Sequence, residues 1–211
     1  MSRCVIFSAC PVQPELKRLL RADDFIIACD AGYHNCERLS CKPNIIVGDF
    51  DSAPCPVQDD DEIVILPHVK DDTDTEYAAK LASEKGFDEV LLLGSLGGKR
   101  IEHTLSNLCT GLGLERRGAR ATLQDERSRI TFVMPGESRR YPKEAYFYLS
   151  VFPMEGKAEG VWERGAFYEL TDAVLDAGYP IGTSNEYAEG SDCITISTRK
   201  GALVVVETIA D

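Results

Sequence analysis

The sequence predicts an α/β fold: a mostly parallel sheet flanked by helices, followed by a smaller antiparallel domain. Three observations carry this. Short apolar runs alternate with helical patterns through the first ~130 residues, the signature of strand–helix–strand units. Near Pro135-Gly136 the pattern changes to strands of period two separated by Gly and Pro turns. Composition changes there too, because the last 76 residues hold 10 of the 17 aromatics but one of the 8 cysteines. The expected division is 1–135 and 136–211.

In chain order, Cys4–Ser8, Phe25–Cys29, Asn44–Val47, Ile63–Leu66, Glu89–Leu93 and Ala121–Gln124 are apolar and short enough to be strands. Glu15–Arg21, Tyr33–Leu39, Thr73–Lys85 and Ile101–Arg116 are the intervening helices. Thr73-Asp74-Thr75-Glu76 has the capping-box form, after which Tyr77, Ala78, Leu81 and Ala82 give one apolar face. In the next helix Ile101, Leu105, Leu108 and Leu112 form the expected buried stripe, with Arg100, His103 and Asn107 on another side. Beyond residue 135, Ala145–Phe152, Ala158–Glu163, Cys193–Thr198 and Ala202–Thr208 alternate as half-buried strands do. Lys200-Gly201 suggests a hairpin turn between the last two.

The chain carries 35 acidic against 23 basic residues, a formal charge of −12. Such a balance argues against a protein that holds nucleic acid or anionic lipid by charge. No apolar run approaches the ~18 residues of a membrane span, and the N-terminus is too weak for a signal peptide. The eight cysteines show no CxxC pair and read as reduced thiols of a cytoplasmic protein. The charge is concentrated: residues 30 to 76 hold 12 acidic and 3 basic side chains, a net of −9. Asp59–Glu62 reads as a solvated acidic loop, whereas the other acids can build a metal site.

The strongest of those is Ile45-Ile46-Val47-Gly48-Asp49-Phe50-Asp51-Ser52, a buried-strand pattern running into two carboxylates. Ligands of open α/β sheets bind beyond the carboxyl ends of strands, and an i, i+2 spacing can aim both acids to one side. Hard oxygen ligands of this kind suit Mg²⁺, which keeps water and phosphate oxygens in its shell. Lys70-Asp71-Asp72-Thr73-Asp74 adds carboxylates and a phosphate-binding cation at a helix start, and Asp30 again follows a strand. Gly94-Ser95-Leu96-Gly97-Gly98-Lys99-Arg100 then joins a strand to a helix, offering backbone N–H groups and a helix N-terminus to phosphate. It is not a Walker A loop, since Leu93 stands where the first glycine belongs and Arg100 where Ser or Thr belongs. His103, one turn on, is a further polyphosphate donor.

The order Asp30-Ala31-Gly32, Gly48 to Ser52, Lys70 to Asp74, Gly94 to Asn107, and Ser184-Asn185-Glu186 resembles the thiamine pyrophosphokinase family. Gly165, Tyr168 and Leu170 resemble the pattern that precedes its Ser-Asn-Glu loop. The resemblance implies an α/β catalytic domain, then a β-sandwich that helps bind thiamine, in a homodimer with active sites near the subunit interface. It implies transfer of pyrophosphoryl from ATP to the thiamine hydroxyl, giving thiamine diphosphate and AMP. By the same resemblance Asp49, Asp51, Asp71 and Asp74 hold Mg²⁺, and they act in catalysis with Lys70 and Arg100. Asp30, Gly48, Gly97, Gly98, Lys99, Arg100 and His103 bind ATP. Ser184 and Asn185 bind thiamine, and an Asn amide offers both donor and acceptor to an aminopyrimidine edge.

Two departures from the family pattern stand out. Its Gly-Gly-Arg-x-Asp-His element gains Lys99 here and has Glu102 for the Asp, so either Lys99 or Arg100 fills the arginine's place. The spacing to His103 favours Arg100. Trp162, Tyr168 and Tyr187 are all candidates for the thiamine ring, and Asp71 or Asp74 for the base. A Mg²⁺-dependent nucleotide-sugar transferase would also use the DxD pattern but leaves Lys70–Asp74 and Ser184-Asn185 unexplained. A thiamine or nucleotide sensor without catalysis would have little need for four metal-spaced aspartates.

Overall fold

The computed structural model describes residues 3–50, 62–67 and 71–210, with the backbone alone for Glu62. The chain divides into two compact units, Met1–Glu126 and Arg127–Asp211.

In the first unit six strands lie in the order β4-β3-β2-β1-β5-β6. They are β1 (Cys4–Phe7), β2 (Phe25–Cys29), β3 (Ile45–Gly48), β4 (Glu62–Ile65), β5 (Glu89–Leu93) and β6 (Arg120–Gln124). All neighbouring pairs are parallel. The near-continuous apolar runs follow from this, because a parallel sheet is covered on both faces. Alternate residues Val5, Phe7, Ile26, Ala28, Ile46, Leu91 and Leu93 pack with Tyr33, Cys36 and Leu39 of α1 (Tyr33–Leu39) on one face. The segment expected as a helix at Glu15–Arg21 is a short 3-10 turn, Pro14–Leu19, that places Leu16 in the same cluster.

α2 (Asp74–Glu84) packs against β1, β2 and β3 and against α3 (Ile101–Arg116). Thr73 caps α2 by accepting a bond from the Glu76 backbone N–H at 3.1 Å. The reciprocal half of the capping box is missing, because the Glu76 carboxylate pairs with Arg117 at 3.1 Å. The buried face of α2 is Thr75, Ala78, Ala79 and Ala82. Tyr77 and Leu81, expected on it, are only half-buried.

The expected stripe of α3 holds only in its second half, where Leu112 is buried and Leu108 half-buried. Ile101 and Leu105 are 66% and 59% exposed, whereas Asn107, Thr110, Gly111 and Leu114 are buried. Hydrogen bonding and close approach select the inward face: Asn107 Nδ2 donates to Ser95 O at 2.7 Å, a bond that only an inward-facing residue can make.

The second unit is a two-sheet β-sandwich. One sheet orders β7-β13-β9 and the other β11-β10-β12-β8. Their strands are β7 (Ser128–Val133), β8 (Ser138–Pro142), β9 (Tyr148–Pro153), β10 (Lys157–Arg164), β11 (Leu170–Asp176), β12 (Cys193–Ser197) and β13 (Leu203–Thr208). Val133, Leu149, Val151, Leu203 and Val205 of the first sheet meet Val161, Leu175, Ile194 and Ile196 of the second in one core.

The unit starts at residue 127, ahead of the turn at Gly136, because β7 pairs antiparallel with β13. The expected hairpin at Lys200-Gly201 is also corrected. β12 pairs with β10 and β8, and β13 with β7 and β9, so the turn carries the chain from one sheet to the other. Gly201 sits at φ 82 with Lys157 O only 2.3 Å from where a Cβ would stand, so the crossing needs glycine.

Candidate active site

In the first unit the chain builds β1 to β4 outward on one side and then returns to place β5 on the other side of β1. That reversal opens a crevice at the carboxyl ends of β1 and β5. A pocket lies there, lined by Cys10, Pro11, Val12, Leu16, Gly94, Leu96, Gly97 and Gly98, with Asp125 and Glu126.

The pocket's walls are backbone held by neutral amides. Asn35, 2% exposed, donates from Nδ2 to Ser8 O and Cys10 O at 2.9 Å each. Its Oδ1 accepts from Val12 N at 3.1 Å. Across the crevice Asn107 holds Ser95 O, and Ser8 Oγ meets Thr75 Oγ1 at 2.9 Å. Gly94 stands so close to Ser8 O, Cys10 O and Asn35 Nδ2 (2.5 to 2.8 Å from an added Cβ) that no side chain fits. Gly97 and Gly98 are left-handed at φ 72 and 80, so the turn presents bare backbone to the crevice.

Lys99 and Arg100 follow on the exposed rim, and His103 is half-buried one turn into α3. Arg100 Nε donates to Glu102 Oε1 at 2.7 Å. That contact holds the Glu102 carboxyl below the usual range. The residue that departs from the family pattern thus orients Arg100, which the spacing had favoured over Lys99.

Part of the acidic set lies near neighbouring strand ends. Gly48 closes β3 against Asp30, whose Cα would lie 3.1 Å from an added Cβ, and Asp49 follows it. Cys29 Sγ donates to Asp74 O at 3.5 Å. Burial first, then the charge of Asp74 and, more weakly, that of Asp30 push the Cys29 thiol well above its ordinary value. Asp30, Asp49 and Asp74 therefore belong to one neighbourhood.

Asp71 is exposed before the helix, and Asp72 pairs with Lys80 at 2.7 Å. Asp51 and Lys70 lie outside the described residues. Among the described residues no three His, Cys, Asp or Glu side chains stand together as a ready metal cage. The donors are nonetheless of the right kind for Mg²⁺, hard carboxylate oxygens beside a crevice walled by bare backbone. Mg²⁺ uses few protein ligands and completes its shell with water and phosphate. β2 and β5 are two strand spacings apart, about 10 Å. An extended polyanion laid across the strand ends would meet both the acids and the glycine-rich turn.

In the second unit the Ser184-Asn185 loop is built by long-range bonds. Asn185 pairs its backbone with Leu149 in both directions at 2.8 Å, and Ser184 N donates to Ser150 Oγ at 2.9 Å. The Asn185 side chain is turned inward, 6% exposed. Ser184 is exposed and left-handed at φ 56. Beside it Phe167 and Tyr168 project as an edge-to-face ring pair, 65% and 71% exposed, with centroids 4.9 Å apart. Tyr187, by contrast, is tied to the backbone of Pro142 through its hydroxyl at 3.0 Å.

Five non-glycine residues among those described have positive φ, and three of them, Asp30, Phe50 and Ser184, fall in these motifs. Such strain costs of order 1–3 kcal/mol each and collects at functional sites. The bracing residues Ser8, Asn35 and Glu163 were not anticipated. Glu163 had a visible signal, an acid two residues from Val161 on the inward-facing alternation of its strand.

Comparison with known proteins follows this division. Residues 16–123 match the model of the thiamin pyrophosphokinase catalytic domain, and residues 140–203 that of the thiamin pyrophosphokinase vitamin B1 binding domain. Thiamine pyrophosphokinase of Bacillus subtilis is 27% identical over 139 residues, 66% of this chain and 64% of its own length. Thiamin pyrophosphokinase 1 of Caenorhabditis elegans is 27% identical over 152 residues, 68% of this chain and 62% of its own. The matched stretch thus spans somewhat less than two thirds of either curated relative. Crystal structures of the enzymes from Bacillus subtilis and Geobacillus thermodenitrificans share the fold, each with a TM-score of 0.86, at 21% and 24% identity. Both are matched over the whole of this chain, covering 100% and 98% of theirs.

Proposed function

Because the chain belongs to the thiamin pyrophosphokinase family, we propose that it transfers the pyrophosphoryl group of ATP to the hydroxyl of thiamine, releasing thiamine diphosphate and AMP. The observation that carries this reading is the match of each family model to its own compact unit, 16–123 within the first and 140–203 within the second.

In this reading ATP lies across the strand ends of the first unit. Its phosphates face the bare backbone of Gly97 and Gly98, with Lys99, Arg100 and His103 beside them and Asp30 and Gly48 across the crevice. Asp49, Asp51, Asp71 and Asp74 would hold Mg²⁺, which when bound screens the phosphate charge. Phosphoryl transfer depends chiefly on positioning and charge neutralisation. Arg100, steadied by Glu102, and Lys70 offset charge that develops on the transferred group. Asp71 or Asp74 takes the proton from the thiamine hydroxyl as it attacks the β-phosphorus in line with the departing AMP. In the second unit the Ser184-Asn185 loop and the exposed ring of Tyr168 receive thiamine.

A homodimer with active sites near its interface is part of the proposal, supported by the exposed apolar residues Ile101 and Leu105 of α3. A cytoplasmic setting is supported by the cysteines, since the seven among the described residues are all free thiols. No helix among the described residues is long and apolar enough to cross a membrane.

The test is incubation of the purified protein with thiamine, ATP and Mg²⁺. AMP and thiamine diphosphate are expected in equal amounts. Formation of ADP would make the transfer monophosphoryl and overturn the proposal.

A further inference from the structure

We propose that Glu163 is the positioning residue of the thiamine-side loop, acting through Asn185, an inference that rests on reading that loop as the thiamine site. Glu163 stands on β10, 1% exposed, with Leu170 and Ile196 as its partners in the adjacent strands. A carboxyl group so placed is costly to bury without partners. One oxygen, Oε1, accepts from Asn185 Nδ2 at 2.9 Å. The other, Oε2, is buried with no hydrogen-bond partner among the described residues. The carboxyl group therefore spends its one bond on Asn185.

Asn185 passes that constraint on. Its Nδ2 also donates to Tyr168 O at 2.8 Å, and its Oδ1 accepts from Tyr168 N and Glu186 N at 3.0 Å each. The two donors and two acceptor positions of the amide are thereby filled. Asn185 cannot turn an edge toward a ligand without breaking an internal bond, so it works from behind the loop. The groups it fixes are the ones that face outward: Tyr168, held at both its N–H and C=O, and the exposed, left-handed Ser184.

A primary amide has two indistinguishable-looking ends, and rotation by half a turn would set Nδ2 against the Tyr168 and Glu186 N–H groups. Glu163 reinforces the orientation that the Tyr168 and Glu186 backbone sets, because Oε1 accepts, as a carboxylate oxygen or as the carbonyl of the neutral acid, and so requires the NH₂ end. Loss of that acceptor leaves one Nδ2 hydrogen buried without a partner and loosens the hold of the amide on the Tyr168 backbone.

The test compares Glu163→Met, which fills the same volume without an acceptor, with Glu163→Gln, whose carbonyl can still accept from Asn185. Two readouts are taken on the full chain: amide hydrogen exchange at Tyr168 and Glu186, and KM and kcat for thiamine and for ATP. Glu163→Met is expected to lower protection at those two amides at least tenfold while the amides of β10 and β12 stay protected and the melting temperature does not fall. Its KM for thiamine should rise about tenfold, with kcat and the KM for ATP within twofold. Glu163→Gln should restore both readouts to within threefold of the parent.

Unchanged protection at Tyr168 and Glu186 in Glu163→Met would overturn the positioning role, whatever the kinetics. Equal rises in both KM values, or no recovery in Glu163→Gln, would overturn it as well. If the parent chain makes no thiamine diphosphate, the functional reading fails, and the exchange data alone still decide whether Glu163 positions the loop.

Discussion

The glycine-rich crevice and the Ser184-Asn185 loop are braced by the same side chain but backed differently. In the first unit Asn35 and Asn107 pin backbone carbonyls of the crevice, and the one ionic group among the bonds they make is the Arg38 guanidinium, 3.4 Å from Asn35 Oδ1, with no carboxyl, imidazole or thiol among them. In the second unit Asn185 pins the backbone of Tyr168 and is itself held by Glu163, an acid buried among apolar partners. Neutral clamps keep the same strength across the physiological pH range, whereas a clamp that ends on a carboxyl group follows its proton. One residue type can therefore brace a crevice whose hold is insensitive to pH and a loop whose hold responds to it.

The largest expected effect tests the acidic strand ends. Asp49→Asn keeps the size and hydrogen-bonding capacity of the side chain but removes the charge that would hold Mg²⁺. Turnover should fall by about a thousandfold or more, the scale of losing a principal electrostatic contribution to a transition state. The melting temperature should change by only a few degrees. AMP release, measured against a folded control, checks this. Near-parental activity would remove Asp49 from the metal site and leave the crevice without its anchor.

The next effect bears on the buried acid. Desolvation pushes the Glu163 carboxyl from its ordinary 4.5 up to about 7, opposed by its bond from Asn185. The neutral form is the one the fold prefers, so the folded state holds a proton that the unfolded state releases between those values. Stability from this group is therefore fully present below about pH 4.5 and is lost as pH rises through about 7. The loss between pH 5 and 8 amounts to roughly 3 kcal/mol at most. Glu163→Gln cannot titrate, so the difference in unfolding free energy between it and the parent should widen by about that amount over the same range. Urea denaturation at a series of pH values measures it. A constant difference would mean that the carboxyl group is solvated and that the two regions are braced alike.

Legibility in the sequence follows the same division. β2, β5, α1 and α3 have the bounds read from apolar periodicity, since a parallel sheet buries whole runs and leaves little to confuse. The strand ends carrying Asp30, Asp49 and the glycine turn were visible because each motif is contiguous. Three strands of the sandwich, Ser128–Val133, Ser138–Pro142 and Leu170–Asp176, were not visible. The second and third are largely exposed or charged, as in Ser138-Arg139-Arg140-Tyr141-Pro142. The inward face of α3 was misread for a related reason. Apolar spacing marked Ile101 and Leu105, whereas the buried positions of the helix include Asn107, bonded to Ser95, and the small residues Thr110 and Gly111. Braces such as Asn35–Ser8 and Glu163–Asn185 join residues 27 and 22 positions apart, and periodicity carries no information at that range.

The smallest effect is the most discriminating for the comparison. Asn35→Ala leaves Ser8 O, Cys10 O and Val12 N without their side-chain partner in a buried setting. Leaving such groups unsatisfied costs about 2 kcal/mol in all, since part of the loss is recovered by relaxation or by water. Because the clamp is neutral, that cost should be the same at pH 6 and pH 8 when the variant is subtracted from the parent by urea denaturation. The crevice should loosen with it, raising the KM for ATP severalfold while the KM for thiamine stays within twofold. If the cost instead changed between the two pH values, a titrating group would be coupled to the Ser8–Val12 segment. The contrast between a pH-insensitive crevice and a pH-responsive loop would then fail at its first term, even with Glu163 behaving as described.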